Sequence, residues 1–331
     1  MNKILTIVIP SYNVSTYIEQ CLDSLVKKPL KELEVLVIDD GSKDDTLEKA
    51  KKYEANYPDI IKAVHKENGG HGSAINKGLE LATGKYFRIL DGDDWVDWDS
   101  LVSLMGILKK SQSDMVLSDI VQVFSDRNNT QKFFKNLERG KIYELDKLSE
   151  IDYLTMGSVA IKTELLRQNG VHITENCYYV DIEYNSYCIA YSNTIQFEDL
   201  PFYMYRCGNV SQSTAKLIMF KNIEMLKNVS LGMIHFYDSL KLKNNGRKKL
   251  LLLRIGKLVR TTMLLFLANE NTKSGFNGWK LYRESVENAS KELYEYVIKK
   301  WLVVRVECFG SRTLFNVLSR LYKMREMCKK K

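Results

Sequence analysis

Tyr86-Phe87-Arg88-Ile89-Leu90-Asp91-Gly92-Asp93-Asp94 decides how this chain is read. Tyr86–Leu90 is a short, largely apolar run, the pattern of a buried strand. Asp-Gly-Asp-Asp ends it as a turn and crowds three carboxylates at one strand end. The same design recurs upstream. Ile4–Ile9 is closed by Pro10 and leads into Ser11-Tyr12-Asn13, Leu33–Ile38 leads into Asp39-Asp40-Gly41-Ser42, and Ile60–His65 precedes Asn68-Gly69-Gly70. Helical patterns separate them at Thr16–Val26, Asp44–Tyr57 and Ser73–Ala82, and a helix over Leu101–Lys110 and a strand over Met115–Ser118 follow. Alternating short strands and helices predict βαβ units, an α/β fold and a mostly parallel sheet. Ligands of such sheets bind beyond the carboxyl ends of the strands. The rim residues Tyr12, Asn13, Asp39, Asn68, Gly70, Asp91, Gly92 and Asp93 are therefore candidates for one site.

Farther along, residues 126–143 read as an irregular loop, Ser158–Ile161 as a strand, Asp181–Tyr191 as a helix and Pro201–Tyr205 as an aromatic strand or turn. After about Thr214 the chain turns to leucine-rich, basic helices. The expected division is a strand-containing domain over 1–215 and a helical, basic region over 216–331. With 331 residues, 45% of them hydrophobic and only 4 prolines, a sizeable core is available and disorder is not expected over most of the length. The net charge is +8, and from Trp301 to Lys331 eight basic residues stand against two acidic ones. That charge suits nucleotide phosphates or an anionic membrane surface. No helix-turn-helix, zinc or RNA-binding pattern supports a nucleic-acid partner, and no G-x-x-x-x-G-K-[ST] loop supports a P-loop nucleotidase. The 6 cysteines have neither disulfide-framework nor zinc spacing. With no signal-peptide pattern at the amino terminus, they suggest free thiols in a cytoplasm.

Two aspartates one residue apart after a buried strand can direct oxygens at one hard cation, Mn2+ or Mg2+, that shares its remaining positions with a diphosphate. A capping turn is the competing reading. Ile7-Val8-Ile9-Pro10-Ser11-Tyr12-Asn13, Val37-Ile38-Asp39-Asp40-Gly41-Ser42, Glu67-Asn68-Gly69-Gly70 and Leu90-Asp91-Gly92-Asp93-Asp94-Trp95, in that order, resemble a bacterial family-2 glycosyltransferase. The resemblance is strong over residues 3–120 and weaker to about 215. It implies a GT-A fold, a nucleoside-diphosphate sugar donor and an inverting transfer. It also implies that Pro10, Tyr12 and Asp39 line the nucleoside pocket, with Tyr12 against the base and Asp39 accepting a hydrogen bond from uracil. Asp91 would lie near ribose and metal, and Asp93 would bind the metal. The sequence departs from the family where an arginine is common and Ile75 stands, and at His71, a more usually apolar position. At a helix start, His71 can reach the diphosphate or the sugar.

An inverting transfer needs a base for the acceptor hydroxyl. Val180-Asp181 occupies the place of the family's acidic pair, making Asp181 the candidate; a helix cap is the alternative. Tyr203-Met204-Tyr205-Arg206 with a trailing Gln212-Ser213 resembles a family segment in which Arg206 pairs with diphosphate; a structural ion pair is the alternative. In Leu250–Leu267, Arg254, Lys257 and Arg260 form a basic stripe, either on a membrane surface or in solvent. The combined expectation is a UDP-sugar-dependent transferase acting on a saccharide or lipid-linked acceptor, peripheral on the inner membrane face, with a homo-oligomer also open. A sugar nucleotidyltransferase and a non-enzymatic nucleotide-binding or interaction protein are the alternatives.

Overall fold

The computed structural model describes residues 2–148, 152, 154–207, 216–243, 245–301, 304 and 312–328. The chain divides into two compact units, Met1–Asn209 with Asn245–Arg247, and Val210–Asn244 with Lys248–Lys331. The expected boundary after residue 215, like Gln212 and Ser213, falls at or within the undescribed stretch 208–215.

The first unit opens with four strands, β1 (Leu5–Ser11), β2 (Leu33–Asp39), β3 (Ile61–His65) and β4 (Tyr86–Ile89). The helices between them are α1 (Ile18–Asp23), α2 (Thr46–Asn56) and α3 (Gly70–Leu81). The strands pair in parallel in the order β3-β2-β1-β4. Every residue of β1 is buried, as expected for a central strand covered on both faces. Register decides where the polar ends fall. Ser11 pairs with Asp39 and Asp39 with His65, so β1, β2 and β3 finish in one row. Val8 pairs with Ile89, which brings the Asp91 turn up beside the residues after β1.

The remaining elements of this unit are β5 (Trp95–Val96), α4 (Trp98–Lys110), β6 (Met115–Val123), β7 (Asn128–Gln131), β8 (Ile142–Glu144), β9 (Val159–Lys162), α5 (Thr163–Gln168), α6 (Val180–Tyr191) and β10 (Thr194–Arg206). β9 runs antiparallel between β4 and β6, β10 lies parallel to β6, and β5 adds antiparallel to β10. The sheet is thus mixed at this end, where the sequence predicts only a mostly parallel one. The loop expected over 126–143 needs correction. β7 pairs with β6 and β8 with β10, both antiparallel. Asn-Asn-Thr-Gln carries no apolar alternation, so backbone pairing on an exposed edge forms β7 without a side-chain signal.

In the second unit α8 (Ile223–Ser239), α10 (Thr272–Ala289), α11 (Lys291–Lys300) and α12 (Arg312–Cys328) are amphipathic helices, preceded by the short α7 (Lys216–Lys221). Phe276 and Trp279 of α10 meet Phe315 of α12 at ring separations of 5.5 and 5.9 Å. Ser230 on α8 and Tyr282 on α10 share a buried hydrogen bond of 2.6 Å. On α9 (Gly246–Leu267) the expected solvent or membrane stripe does not form as a unit, because Arg254 is only 3% exposed. Its spacing from Lys257 and Arg260 describes a face without saying what covers it. Among the described residues no helix is long and apolar enough to cross a membrane.

α3 lies against β1 so closely that a Cβ on Gly78 would stand 2.3 Å from Val8 Cγ1. Gly78→Ala is therefore expected to destabilise the protein by ~1–3 kcal/mol through overpacking. Urea unfolding should show a lower midpoint at an unchanged slope.

Candidate active site

The rim is built on the buried carboxylate of Asp40. Its oxygens accept hydrogen bonds from Gly69 N at 2.9 Å, Gly70 N at 2.8 Å and Lys66 Nζ at 2.8 Å. Asn68 Nδ2 donates to the Asp40 carbonyl at 2.7 Å. The turn after β3 is thereby pinned to the end of β2, and α3 starts at Gly70, earlier than the Ser73 start read from the sequence. Gly70 has φ +84°, a left-handed conformation that glycine adopts without strain. The helix start places His71 in its first turn.

From β4 the chain delivers Asp91, Asp93 and Asp94. Tyr203 on β10 bridges two of them, with its hydroxyl 3.0 Å from Asp91 Oδ2 and 2.7 Å from Asp94 Oδ2, while Asp91 N donates back to it at 3.2 Å. Asp94 Oδ1 accepts from Arg206 N at 2.7 Å. Burial, reinforced by Asp91 and Asp93, pushes the Asp94 carboxyl up to about 8, and burial with the Asp91 charge raises Asp93. Three acidic groups in a shielded turn resist simultaneous ionisation unless positive charge joins them. Gly92 permits the crowding, since a Cβ there would lie 3.0 Å from Val14 Cγ2 and 3.1 Å from Ser11 Oγ.

Arg206 braces this turn. Its Nε donates to Asp93 O at 2.9 Å and its Nη2 to Gln20 Oε1 at 2.7 Å. Its guanidinium lies 4.7 Å from the Tyr17 ring centroid and 4.8 Å from that of Trp95. These contacts hold the carboxylate turn in place through a carbonyl, an amide oxygen and two aromatic rings, a different structural role from the ion pair weighed against diphosphate pairing in the sequence.

The segment that leads to the candidate base is tied to α3. Asn176 N donates to Gly69 O at 2.6 Å, and Asn76 in α3 clasps the backbone of Ile173 through both its amide oxygen and its amide nitrogen, each at 2.8 Å. Glu183, buried in α6, accepts from Thr174 N and Thr174 Oγ1 at 2.8 and 2.7 Å. Asp181 sits in the first turn of α6, but the N-cap position belongs to Tyr179, which has φ +70°. Asp181 is thus not the residue at which the helix is capped.

The predicted nucleoside residues are dispersed along the same rim. Tyr12 is 47% exposed and Pro10 is buried in β1. Asn13, at φ +53°, accepts from Lys43 N at 2.8 Å through its side chain and donates its own backbone N–H to Ser42 Oγ at 3.0 Å, joining the loops after β1 and β2. Asp39 is fully buried, with Oδ2 at 2.6 Å from His65 Nδ1 and Oδ1 accepting from Ser42 N at 3.3 Å. A carboxylate has about four acceptor positions, and His65 and Ser42 take one on each oxygen of Asp39. The sequence reading gave no role to His65, Lys66, Glu183 or Tyr203. Tyr203 stood in a quoted motif, but its reach to Asp91 and Asp94 depends on β10 folding beside β5, which spacing alone does not reveal.

A divalent cation fits the residues present. Asp91 Oδ1 and His71 Nε2 are buried atoms with no hydrogen-bond partner, 3.6 Å apart. Orphaned buried polar atoms are costly and call for a ligand. Among the described residues no group of three or more His, Cys, Asp or Glu is placed to hold a metal unaided. A cation here needs further donors, which a diphosphate supplies.

Residues 6–169 match the family model described as glycosyl transferase family 2, and this part of the chain belongs to that family. A curated relative, the uncharacterized glycosyltransferase EpsJ of Bacillus subtilis, is 35% identical over 127 residues, covering 38% of this chain and 37% of its own length. The chain spans 36–63% of the length of three such relatives. Among solved structures, S. aureus TarS 1-349 superposes with a TM-score of 0.71 at 20% identity, covering 97% of this chain and 91% of that one. The same TarS fragment has also been solved in complex with UDP-GlcNAc. Mannosyltransferase PcManGT from Pyrobaculum calidifontis, in complex with GDP-Man and Mn2+, superposes at 0.52 with 19% identity, covering 90% of this chain and 86% of that one. At these identities the structural likeness establishes the fold, which is GT-A with a helical carboxyl-terminal region.

Asp40→Asn would set an amide N–H either against Gly70 N or against Gly69 N and Lys66 Nζ, and remove the charge facing Lys66. The expected loss is ~2–4 kcal/mol of stability. Chemical denaturation measures it, and amide exchange should show the 66–71 segment opening first.

Proposed function

We propose that the protein transfers a glycosyl group, with inversion, from a nucleoside-diphosphate sugar, UDP-linked in our reading, to a hydroxyl of a saccharide or lipid-linked saccharide. The observation that carries this is the shared anchorage of two acidic elements on the start of α3. The Gly69–Gly70 turn binds Asp40 on one side and Asn176 N on the other. The carboxylate turn of Asp91 and Asp93 faces the same helix start through His71. A common anchor for the proposed donor-handling groups and for the segment leading to Asp181 supports a reading as an in-line displacement.

In this reading Tyr12 supplies an aromatic face to the nucleobase and Asp39, oriented by His65, accepts from it. The acceptor oxygen attacks the anomeric carbon while the bond from that carbon to the diphosphate oxygen breaks. Asp181 takes the hydroxyl proton, and the bonding electrons leave with the nucleoside diphosphate. A divalent cation held by Asp93 and Asp91 supplies, when bound, neutralisation of the charge on the leaving diphosphate. The Tyr203 hydroxyl and the Arg206 guanidinium hold the Asp91–Asp94 turn so that its carboxylates need not reorganise.

A peripheral contact with an anionic membrane is supported by α12, where Val317, Leu321 and Met324 recur at helical spacing and are 47%, 57% and 58% exposed. Arg320 and Lys323 flank them. Such a surface would bring the site to a lipid-linked acceptor.

The test is release of nucleoside diphosphate from a panel of UDP- and GDP-sugars, with and without Mn2+ or Mg2+. One donor should be hydrolysed slowly in a metal-dependent way, with release falling by ~100-fold or more in Asp93→Ala. With acceptor present, Asp181→Asn should lower kcat by ~100- to 10,000-fold while leaving donor affinity within a few-fold. Pyrophosphate as product would assign a nucleotidyltransferase instead. No release and no metal-dependent UDP binding would remove the transferase reading.

A further inference from the structure

We infer that His71 is a direct ligand of the divalent cation, through Nε2, alongside Asp91 Oδ1. The inference rests on the donor site proposed above and adds a nitrogen donor to a metal centre otherwise assigned to carboxylates. Its basis is local geometry. Asp91 divides its two oxygens between different tasks. Oδ2 is occupied by the Tyr203 hydroxyl at 3.0 Å, while Oδ1 points away from it, buried and without a hydrogen-bond partner. The atom it faces is His71 Nε2, also buried and without a hydrogen-bond partner, at 3.6 Å. That separation is beyond an ordinary N–H···O bond, which closes to about 2.7–3.2 Å.

Two donors each ~2.1 Å from one ion stand ~3.0 Å apart at a right angle and ~4.2 Å apart across it. The observed 3.6 Å lies inside that interval. The backbone that carries both residues is held elsewhere. His71 follows the Gly69–Gly70 turn locked by Asp40, and Asp91 follows β4 and is tethered by Tyr203. An imidazolium–carboxylate pair is the competing account of the contact. It leaves the 3.6 Å gap unclosed, although each residue has rotatable bonds that would close it.

Mn2+ is itself mainly an oxygen-binding ion, but as a first-row transition metal it accepts an imidazole nitrogen more readily than Mg2+, which demands a near-ideal octahedron of oxygens. His71 would therefore make this site prefer Mn2+ over Mg2+. A histidine opening α3 is one of the positions where the sequence leaves the family pattern, and here it faces the carboxylates directly.

The test uses the full chain with UDP and Mn2+, and needs no turnover. Pulsed electron paramagnetic resonance of the Mn2+–UDP complex should show modulation from a directly bound imidazole nitrogen. That modulation should change on 15N-histidine labelling, which separates it from nucleotide nitrogen, and vanish in His71→Gln. The Mn2+ dissociation constant, read from free Mn2+ in the same samples, should rise ~10-fold or more in His71→Gln and in His71→Asn. Mg2+ affinity should change less, so the Mn2+ preference shrinks. Mn2+ bound with UDP but with no histidine nitrogen signal in the wild type would overturn the inference and leave the donor site standing. Failure of the wild type to bind Mn2+ with UDP would overturn both.

Discussion

One buried carboxylate organises the working end of this sheet. Asp40 receives two backbone N–H groups and an ammonium from a single turn, and a side-chain amide binds its carbonyl. A charge taken out of water is tolerable only when its acceptor positions are filled, and here the filling groups are the turn that starts α3. The direction of α3, the placement of His71 and the docking of residues 173–176 all follow from that satisfaction. Charge-assisted bonds from backbone donors are short and directional, so the turn is defined to a degree that its glycines alone would not ensure. The strain-free φ of Gly70 removes a penalty, while Asp40 supplies the restraint.

A second constraint acts at the end of β4. Asp93 and Asp94 are both pushed towards their protonated forms by burial and by their neighbours. Tyr203 and Arg206 lessen that burden without cancelling it, since one offers a hydroxyl and the other spends its Nε and Nη2 donors on a carbonyl and an amide oxygen. The turn thus holds an excess of acidic groups whose joint ionisation is opposed by burial and by one another. A binding site for a cation and its diphosphate is the kind of place where such an excess is retained.

Much of this was written in the chain in readable form. Four apolar runs followed by polar turns gave the parallel strands and their common rim, because strand burial and turn chemistry are both local signals. The carboxylates of Asp91 and Asp93 were visible for the same reason. Other features were beyond local reading. β9 enters antiparallel between β4 and β6, and β7 pairs through backbone alone. Tyr203 lies over a hundred residues from the aspartates it bridges, and nothing local in the sequence marks Glu183 as the buried anchor of Thr174. Arg254 shows the converse limit, since a charge at regular spacing was read as a surface and is covered.

The contact between α3 and the segment before α6 draws on main chain of that segment at its closest points, with the His172 and Glu175 side chains also reaching Asn76. A Cβ on Gly72 would fall 2.2 Å from Thr174 O, and Asn76 and Gly69 both address backbone atoms of residues 173 and 176. Part of the position is therefore encoded in backbone, independently of which side chains point outward there. The outward side chains of this strap, such as Tyr178 at 48% exposure, can be exchanged without re-aiming the helix that carries Asp181. Evolution or design can thus retune what the strap touches while the machinery beneath it keeps its alignment.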